Sequence, residues 1–187
     1  MSFRKNVFRF LLVGALGVLL HFAYAWSGNN RIVGFIGNVN ESTWEHLKLL
    51  FFPFVFLTIG ECLFIRKKPI EFLRARTLGI LSGMIFIVCV FYVVWGVSGM
   101  LVDYINITIY FLGVLCALWV ENKQNGKRGI IDSFSAICIL VFIAILFIMF
   151  TYRHPNIGIF YNPVNHPKRL SYSVPSAHTF TIMHTHF

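Results

Sequence analysis

Charge is what this chain of 187 residues has least of. Only 12% of its side chains are Asp, Glu, Lys or Arg, about half the share of a soluble domain. With so few charges and 57% hydrophobic residues, it cannot cover a water-soluble fold with polar surface, and lipid is the expected solvent. Acidic residues are scarcer still, 7 against 16 Lys and Arg. Cysteine occurs 4 times, at Cys62, Cys89, Cys116 and Cys138, with no CxxC pair. That argues against a disulfide framework or a zinc knuckle, and the four read as small packing residues. Period-two alternation is missing from every apolar run, which argues against a barrel. No internal repeat is evident.

What is present is long apolar sequence, with Phe alone occurring 21 times. Five segments approach the ~20 residues needed to cross a bilayer: Val7–Trp26, Glu45–Ile65, Leu78–Val97, Leu101–Val120 and Ile131–Thr151. The expected fold is all-α, a polytopic membrane helix bundle of about five transmembrane helices over residues 1–152. Residues 153–187, with Pro155, Pro163, Pro167 and Pro175, read as a loosely ordered extracytoplasmic tail. The location expected is the cell membrane, multi-pass.

The formal net charge of +9 raises the question of nucleic acid, but the charges are distributed otherwise. Arg4, Lys5, Arg9, Arg66, Lys67, Lys68, Arg74, Arg76, Lys123, Lys127 and Arg128 fall on one side. Arg31, Lys48, Arg153, Lys168 and Arg169 fall on the other. The positive-inside rule then places the N-terminus in the cytoplasm and the C-terminus outside. Basic clusters at helix ends suit anionic headgroups, so the bilayer is the expected partner and nucleic acid is not. Trp26, Trp44, Trp95 and Trp119 stand near helix ends, as an interfacial belt would. Arg4, Lys5 and Arg9, the run to Leu20 and Ala23-Tyr24-Ala25 imitate a cleavable signal peptide. His21, Phe22 and Tyr24 favour a retained helix.

Local signals refine this layout. Pro69–Arg76 reads as a short basic amphipathic stretch on the inner surface. Gly79-x-x-x-Gly83 allows close helix approach. Gly96–Met100 is a tight turn that makes the third and fourth helices antiparallel neighbours. Asp132 or Ser133 is placed to cap the last helix. Pro53 leaves the Leu49 carbonyl without its helical donor; it either kinks the helix or separates Thr43–Phe52 as an interfacial turn.

The densest polar stretch is Asn38–Pro53, NVNESTWEHLKLLFFP. Ser42-x-x-Glu45 before an apolar run is a capping box, with Ser42 accepting from the Glu45 amide and Glu45 reaching back to the Ser42 amide. Glu45 and Lys48 stand three apart and form a candidate ion pair. The cap does not explain His46. A cationic ring is disfavoured at a helix N-terminus, so a neutral His46 suits a metal ligand or a base. His21 lies within the first helix, between Leu20 and Phe22. Its alternatives are a satisfied packing histidine and a ligand or proton-transfer group. Glu41, Asp103, Asn106 and His154 fall at the same membrane side. Glu61 is sixteen residues past Glu45, ~24 Å along a helix, and is expected to pair with Arg66 or Arg76. The tail carries His166, His178, His184 and His186, unaccompanied by a carboxylate or cysteine.

His21-Phe22-Ala23-Tyr24, Trp26 and the core Asn38–Pro53 resemble an uncharacterised bacterial family of small multi-pass membrane proteins, a domain of unknown function. The resemblance covers roughly residues 5–163. It implies about five helices and assigns no activity. Ser42-x-x-x-His46 is also similar to the S-x-x-x-H of the membrane hydrolases that include alkaline ceramidases and adiponectin-receptor-like proteins. That resemblance implies a zinc among histidines and an aspartate, with Asp103 as the aspartate here. This chain departs from the superfamily in having five predicted helices rather than seven and no H-x-x-x-H pair.

Three classes of function follow. In the first, His21, His46, Asp103 and His154 bind zinc at the outer face and Glu45, beside His46, serves as general base. The chain is then a metal-dependent hydrolase or transferase acting on a lipid-like substrate. In the second it is a small transport or proton-relay protein. In the third it is a non-catalytic membrane subunit.

Overall fold

The computed structural model describes residues 3–64, 69–98, 103–126 and 131–160. Helices run α1 (Phe3–Trp26), α2 (Arg31–Gly34), α3 (Thr43–Leu63), α4 (Pro69–Ser98), α5 (Asp103–Gln124) and α6 (Ser133–Tyr152), followed by a 3₁₀ turn at Gly158–Phe160. No strand occurs among the described residues. All the long helices, α1, α3, α4, α5 and α6, are long and apolar enough to cross a membrane. The architecture is that of a multi-pass membrane protein.

α3 is the central helix. Leu50 and Phe54 are fully buried, and Phe51 is nearly so. Pro53 does not divide it: α3 runs unbroken from Thr43 to Leu63. The Leu49 carbonyl that Pro53 leaves without a donor meets the Tyr110 hydroxyl of α5 at 3.3 Å. The same hydroxyl lies 3.1 Å from the Val13 carbonyl of α1. One phenol thus joins three helices where proline opens the backbone ladder.

α4 and α5 form the most extensive helix pair; Gly96–Ser98, expected in a turn, end α4, and residues 99–102 lie outside the described residues. Gly83 lies on their contact, where a Cβ would stand 2.8 Å from the Gly113 carbonyl oxygen. The Gly79-x-x-x-Gly83 spacing does here what small residues do between membrane helices.

The stretch expected on the inner surface differs. Pro69–Arg76 is the first part of α4, and Phe72, Leu73, Ala75 and Arg76 are buried. The reason is charge compensation across helices. The Arg76 guanidinium donates from Nε to Glu121 at 2.9 Å, from Nη2 to Glu61 at 2.8 Å and from Nη1 to the Thr58 hydroxyl at 2.8 Å. Arg9 of α1 donates to both Glu121 oxygens at 2.6 Å and lies 3.7 Å from Glu61. Two arginines and two glutamates, one from each of four helices, form a neutral buried ring. Glu61 therefore pairs with Arg76, one of the two partners expected for it.

Trp44, in the first turn of α3, also packs inward. Its ring packs 4.8 Å from Phe147 and 4.8 Å from Phe160, so it joins α3 to α6 and to the turn after it. Trp26 and Trp119 stay exposed at their helix ends. The chain after Tyr152 returns to the bundle through Phe160, which is buried. His166, His178, His184 and His186 lie outside the described residues.

Asp132 caps α6, accepting from the Ser135 amide at 3.0 Å. Hydrogen bonds from Ser135, first from its side chain, hold this carboxyl below the usual aspartate range. A depressed folded pKa stabilises above the unfolded value and is lost as pH falls through the folded one. Amide exchange at Ser135 is therefore expected to quicken as pH drops through that region, relative to the intrinsic exchange rate. Asp132→Asn keeps the acceptor and should remove the extra pH dependence; an unchanged pH profile in that variant contradicts the assignment.

Candidate functional site

The polar site sits at the end of the bundle opposite the ion ring. α1 supplies His21, the segment after α2 supplies Asn38 and Glu41, and α3 supplies His46. Local backbone chemistry places each of them. The Asn38 amide donates to the Leu20 carbonyl at 3.2 Å, tying the loop to α1 beside His21. Ser42 is extended (φ −79°, ψ 154°) and its hydroxyl accepts from the Glu45 amide at 3.3 Å, so α3 begins at Thr43. Glu41 is left one residue outside this cap.

Half of the expected capping box is present. The Ser42 amide donates to the Asn40 side chain at 2.9 Å, not to Glu45. The Glu45 carboxylate accepts instead from the Val39 amide at 2.9 Å and pairs with Lys48 at 2.6 Å. Lys48, fully buried, also donates to the Gly34 carbonyl at 2.9 Å and to Thr151 at 3.2 Å. All three of its protons have acceptors. This pair fastens the loop carrying Glu41 to α3 and α6.

His21, Glu41 and His46 offer one ligand atom each within 4.8 Å of one another. His46 Nε2 is 3.4 Å from Glu41 and His21 Nε2 is 3.9 Å from it. Ligand atoms ~2.1 Å from one zinc at tetrahedral angles stand about 3.4 Å apart, so small side-chain shifts suffice. Glu41 is exposed, and both rings are half-buried.

Hydrogen bonding decides how ready each ring is. His46 Nδ1 lies 2.9 Å from the Ser42 carbonyl, which only accepts. Nδ1 must then carry the proton, leaving a lone pair on Nε2 toward Glu41. His21 differs. The Asn38 amide nitrogen approaches its Nδ1 at 3.3 Å and Glu41 at 3.1 Å, so Nδ1 accepts and a neutral ring has its proton on Nε2. The Asn38 oxygen is buried with no hydrogen-bond partner. Turning the Asn38 side-chain amide over would present that oxygen to an Nδ1–H and free His21 Nε2, at the cost of the Asn38–Glu41 hydrogen bond. Two imidazoles and a carboxylate fit zinc, with a fourth position left open.

Among the residues expected at this site, His21 and His46 come together, their ring centroids 5.8 Å apart. His154 stands apart, exposed and stacked on Phe160 with centroids 5.6 Å apart. Asp103 opens α5, and its side chain lies outside the described residues. Glu45 adjoins the site but holds Lys48. Glu41 completes the cluster from the loop. The signal for it was a carboxylate immediately before the N-cap with no capping duty of its own.

Beside His46 a cleft opens between α3, α4 and α5. It is lined by Thr43, His46, Ile87, Phe91, Asn106, Ile109 and Tyr110 and is narrow, with room for about one water. The Asn106 side-chain oxygen is buried without a hydrogen-bond partner.

A family of unknown function (DUF6512) matches residues 5–168 of this chain. No curated protein and no solved structure matches it, and nothing supports the resemblance to ceramidase-like hydrolases.

Proposed function

We propose a function for this chain, which belongs to the DUF6512 family: it is a membrane-embedded, metal-dependent hydrolase or transferase for a lipid-like substrate. The observation that carries this reading is the convergence of His21, Glu41 and His46 from two helices and a loop. Three N/O ligands with an open position make a catalytic rather than a structural zinc pattern. Zinc held there supplies a bound water of near-neutral pKa and polarises a substrate carbonyl. The chain's residues do the placing. The Ser42 carbonyl orients His46, Asn38 orients His21, and the Glu45–Lys48 pair holds the loop that presents Glu41. Glu45 belongs to this supporting layer. In the orientation expected from the basic residues, the site faces outward and substrate arrives from the outer leaflet.

Purified protein is expected to hold about one zinc per chain by elemental analysis, and His46→Ala to lose it. Asn38→Leu should weaken zinc 10–100-fold, as loss of an outer-shell partner does. Zinc-free wild type, or His46→Ala with undiminished zinc, would remove the reading.

A transport role gains polar residues from the Arg9–Glu61–Arg76–Glu121 ring. Yet Val13, Leu50, Phe54 and Val114 between the two polar ends are fully buried and apolar. A proton or ion path would have to cross that layer, so the enzyme reading is preferred. Proteoliposomes carrying the protein should show no flux above empty vesicles.

A further inference from the structure

We infer that Asn106 of α5 is a positioning residue of the metal site. Its side-chain oxygen accepts a hydrogen bond from one water, set in the narrow cleft beside His46 at the coordination position that the three protein ligands leave open. This rests on the reading of His21, Glu41 and His46 as a zinc site, and it adds the group that holds the water there.

Helix register carries the argument. The Tyr110 hydroxyl meets the Val13 and Leu49 carbonyls, and a Cβ on Gly17 would overlap the same hydroxyl. Gly17, Leu49 and Tyr110 thus mark one level of α1, α3 and α5. One turn from that level, away from the ion ring, His21 stands four residues past Gly17, His46 three before Leu49 and Asn106 four before Tyr110. Residues three or four apart share a helix face and differ by ~4.5–6 Å in height. Each of the three helices therefore carries a polar side chain at one height and toward one junction. Two observations agree: the His21 and His46 ring centroids are 5.8 Å apart, and Asn106 and His46 line the same cleft.

That cleft has room for about one water. Among the described residues the Asn106 oxygen is buried with no hydrogen-bond partner, which costs stability until a donor reaches it. The neighbours cannot supply one. The His46 ring proton is spent on the Ser42 carbonyl, the Tyr110 hydroxyl on two carbonyls, and the Thr43 hydroxyl is paired with Tyr92. A water can. It gives one hydrogen to Asn106 and a lone pair to the ion, and two polar partners are the fewest a buried water needs. Without the ion the apolar walls Ile87, Phe91 and Ile109 leave it one partner short, so its bond to Asn106 depends on the metal. With that hydrogen held, the water's lone pairs face away from Asn106, toward the ligand atoms and the substrate side.

The readout is the carbonyl stretch of the Asn106 side-chain amide, which falls when the oxygen accepts a hydrogen bond. Infrared spectra are taken of the whole protein in detergent with carbon-13 in its asparagine side-chain amides, and the spectrum of Asn106→Leu assigns the band. Zinc loading is expected to lower this band in wild type and leave it in place in His46→Ala. Asn106→Leu should weaken zinc about tenfold, the size of one hydrogen bond, whereas His46→Ala abolishes binding. Asn106→Asp keeps the acceptor and should hold zinc at least as tightly as wild type, a rescue that a packing role does not give. A band that zinc does not move, or wild-type zinc affinity in Asn106→Leu, overturns the inference. So does loss of zinc in Asn106→Leu as complete as in His46→Ala, which makes Asn106 a direct ligand. Zinc-free wild type removes the metal reading and this inference with it; zinc-loaded wild type with an unmoved band removes the inference alone.

Discussion

Arg76→Ala is expected to lower the stability of the bundle by about 3–5 kcal/mol, the range seen when one partner of a buried ion pair is removed. The reason lies in the count of charges. Arg9 and Arg76 balance Glu61 and Glu121 within one buried ring. Removing one arginine leaves two carboxylates to share Arg9, and also strips the Thr58 hydroxyl of its donor. Arg76→Lys should recover only part of the loss. A lysine has one nitrogen, whereas Arg76 uses three to reach three different side chains. Pairing Arg76→Met with Glu121→Gln should cost less than the two single losses added, because the stranded charge goes with its partner. The readout is the SDS fraction at which helicity and tertiary fluorescence are lost. A wild-type midpoint for Arg76→Ala contradicts the role given to the ring.

Lys48→Met is expected to have the second-largest effect, about 3 kcal/mol or more by the same physics. It leaves the Glu45 carboxylate with a single backbone donor, Val39, and deprives the Gly34 carbonyl and Thr151 of the ammonium. The damage should be directional. Amide exchange should rise most at Val39 and neighbouring loop residues, and the ion ring at the other end should remain protected. Because the loop carries Glu41, zinc should weaken together with loop protection. The double variant Glu45→Gln/Lys48→Met should regain much of the stability. Uniform loss of protection throughout the bundle would show instead that Lys48 acts globally.

Much of the fold was legible because long apolar runs have few other solutions. Every span was visible as a run, although Gly96–Ser98, expected within a turn, belong to the end of α4. The errors share one cause, the invisibility of partners. Pro69–Arg76 looks like a surface stretch because Glu71 is the only acid near its arginines in sequence; the acids that pair Arg76 stand on α3 and α5. Arg9 looks like one more inner-side basic residue, although it lies between Phe8 and Phe10 and is buried. Trp44 shows its helix-end position in sequence but not its contacts with Phe147 and Phe160. At the candidate site, His21 and His46 were legible as polar groups that no cap explains. Glu41 was visible as a polar residue at the same end, but it lies in the loop before the N-cap, where no helical spacing ties it to His21 or His46.

The Tyr110 hydroxyl also has a mechanical consequence. It relates the axial position of α1 to that of α3, since its single proton is shared between the Val13 and Leu49 carbonyls. Sliding either helix by one turn moves its carbonyl about 5.4 Å, well past hydrogen-bonding distance. α1, α3 and α5 therefore behave as one block held at a fixed stagger.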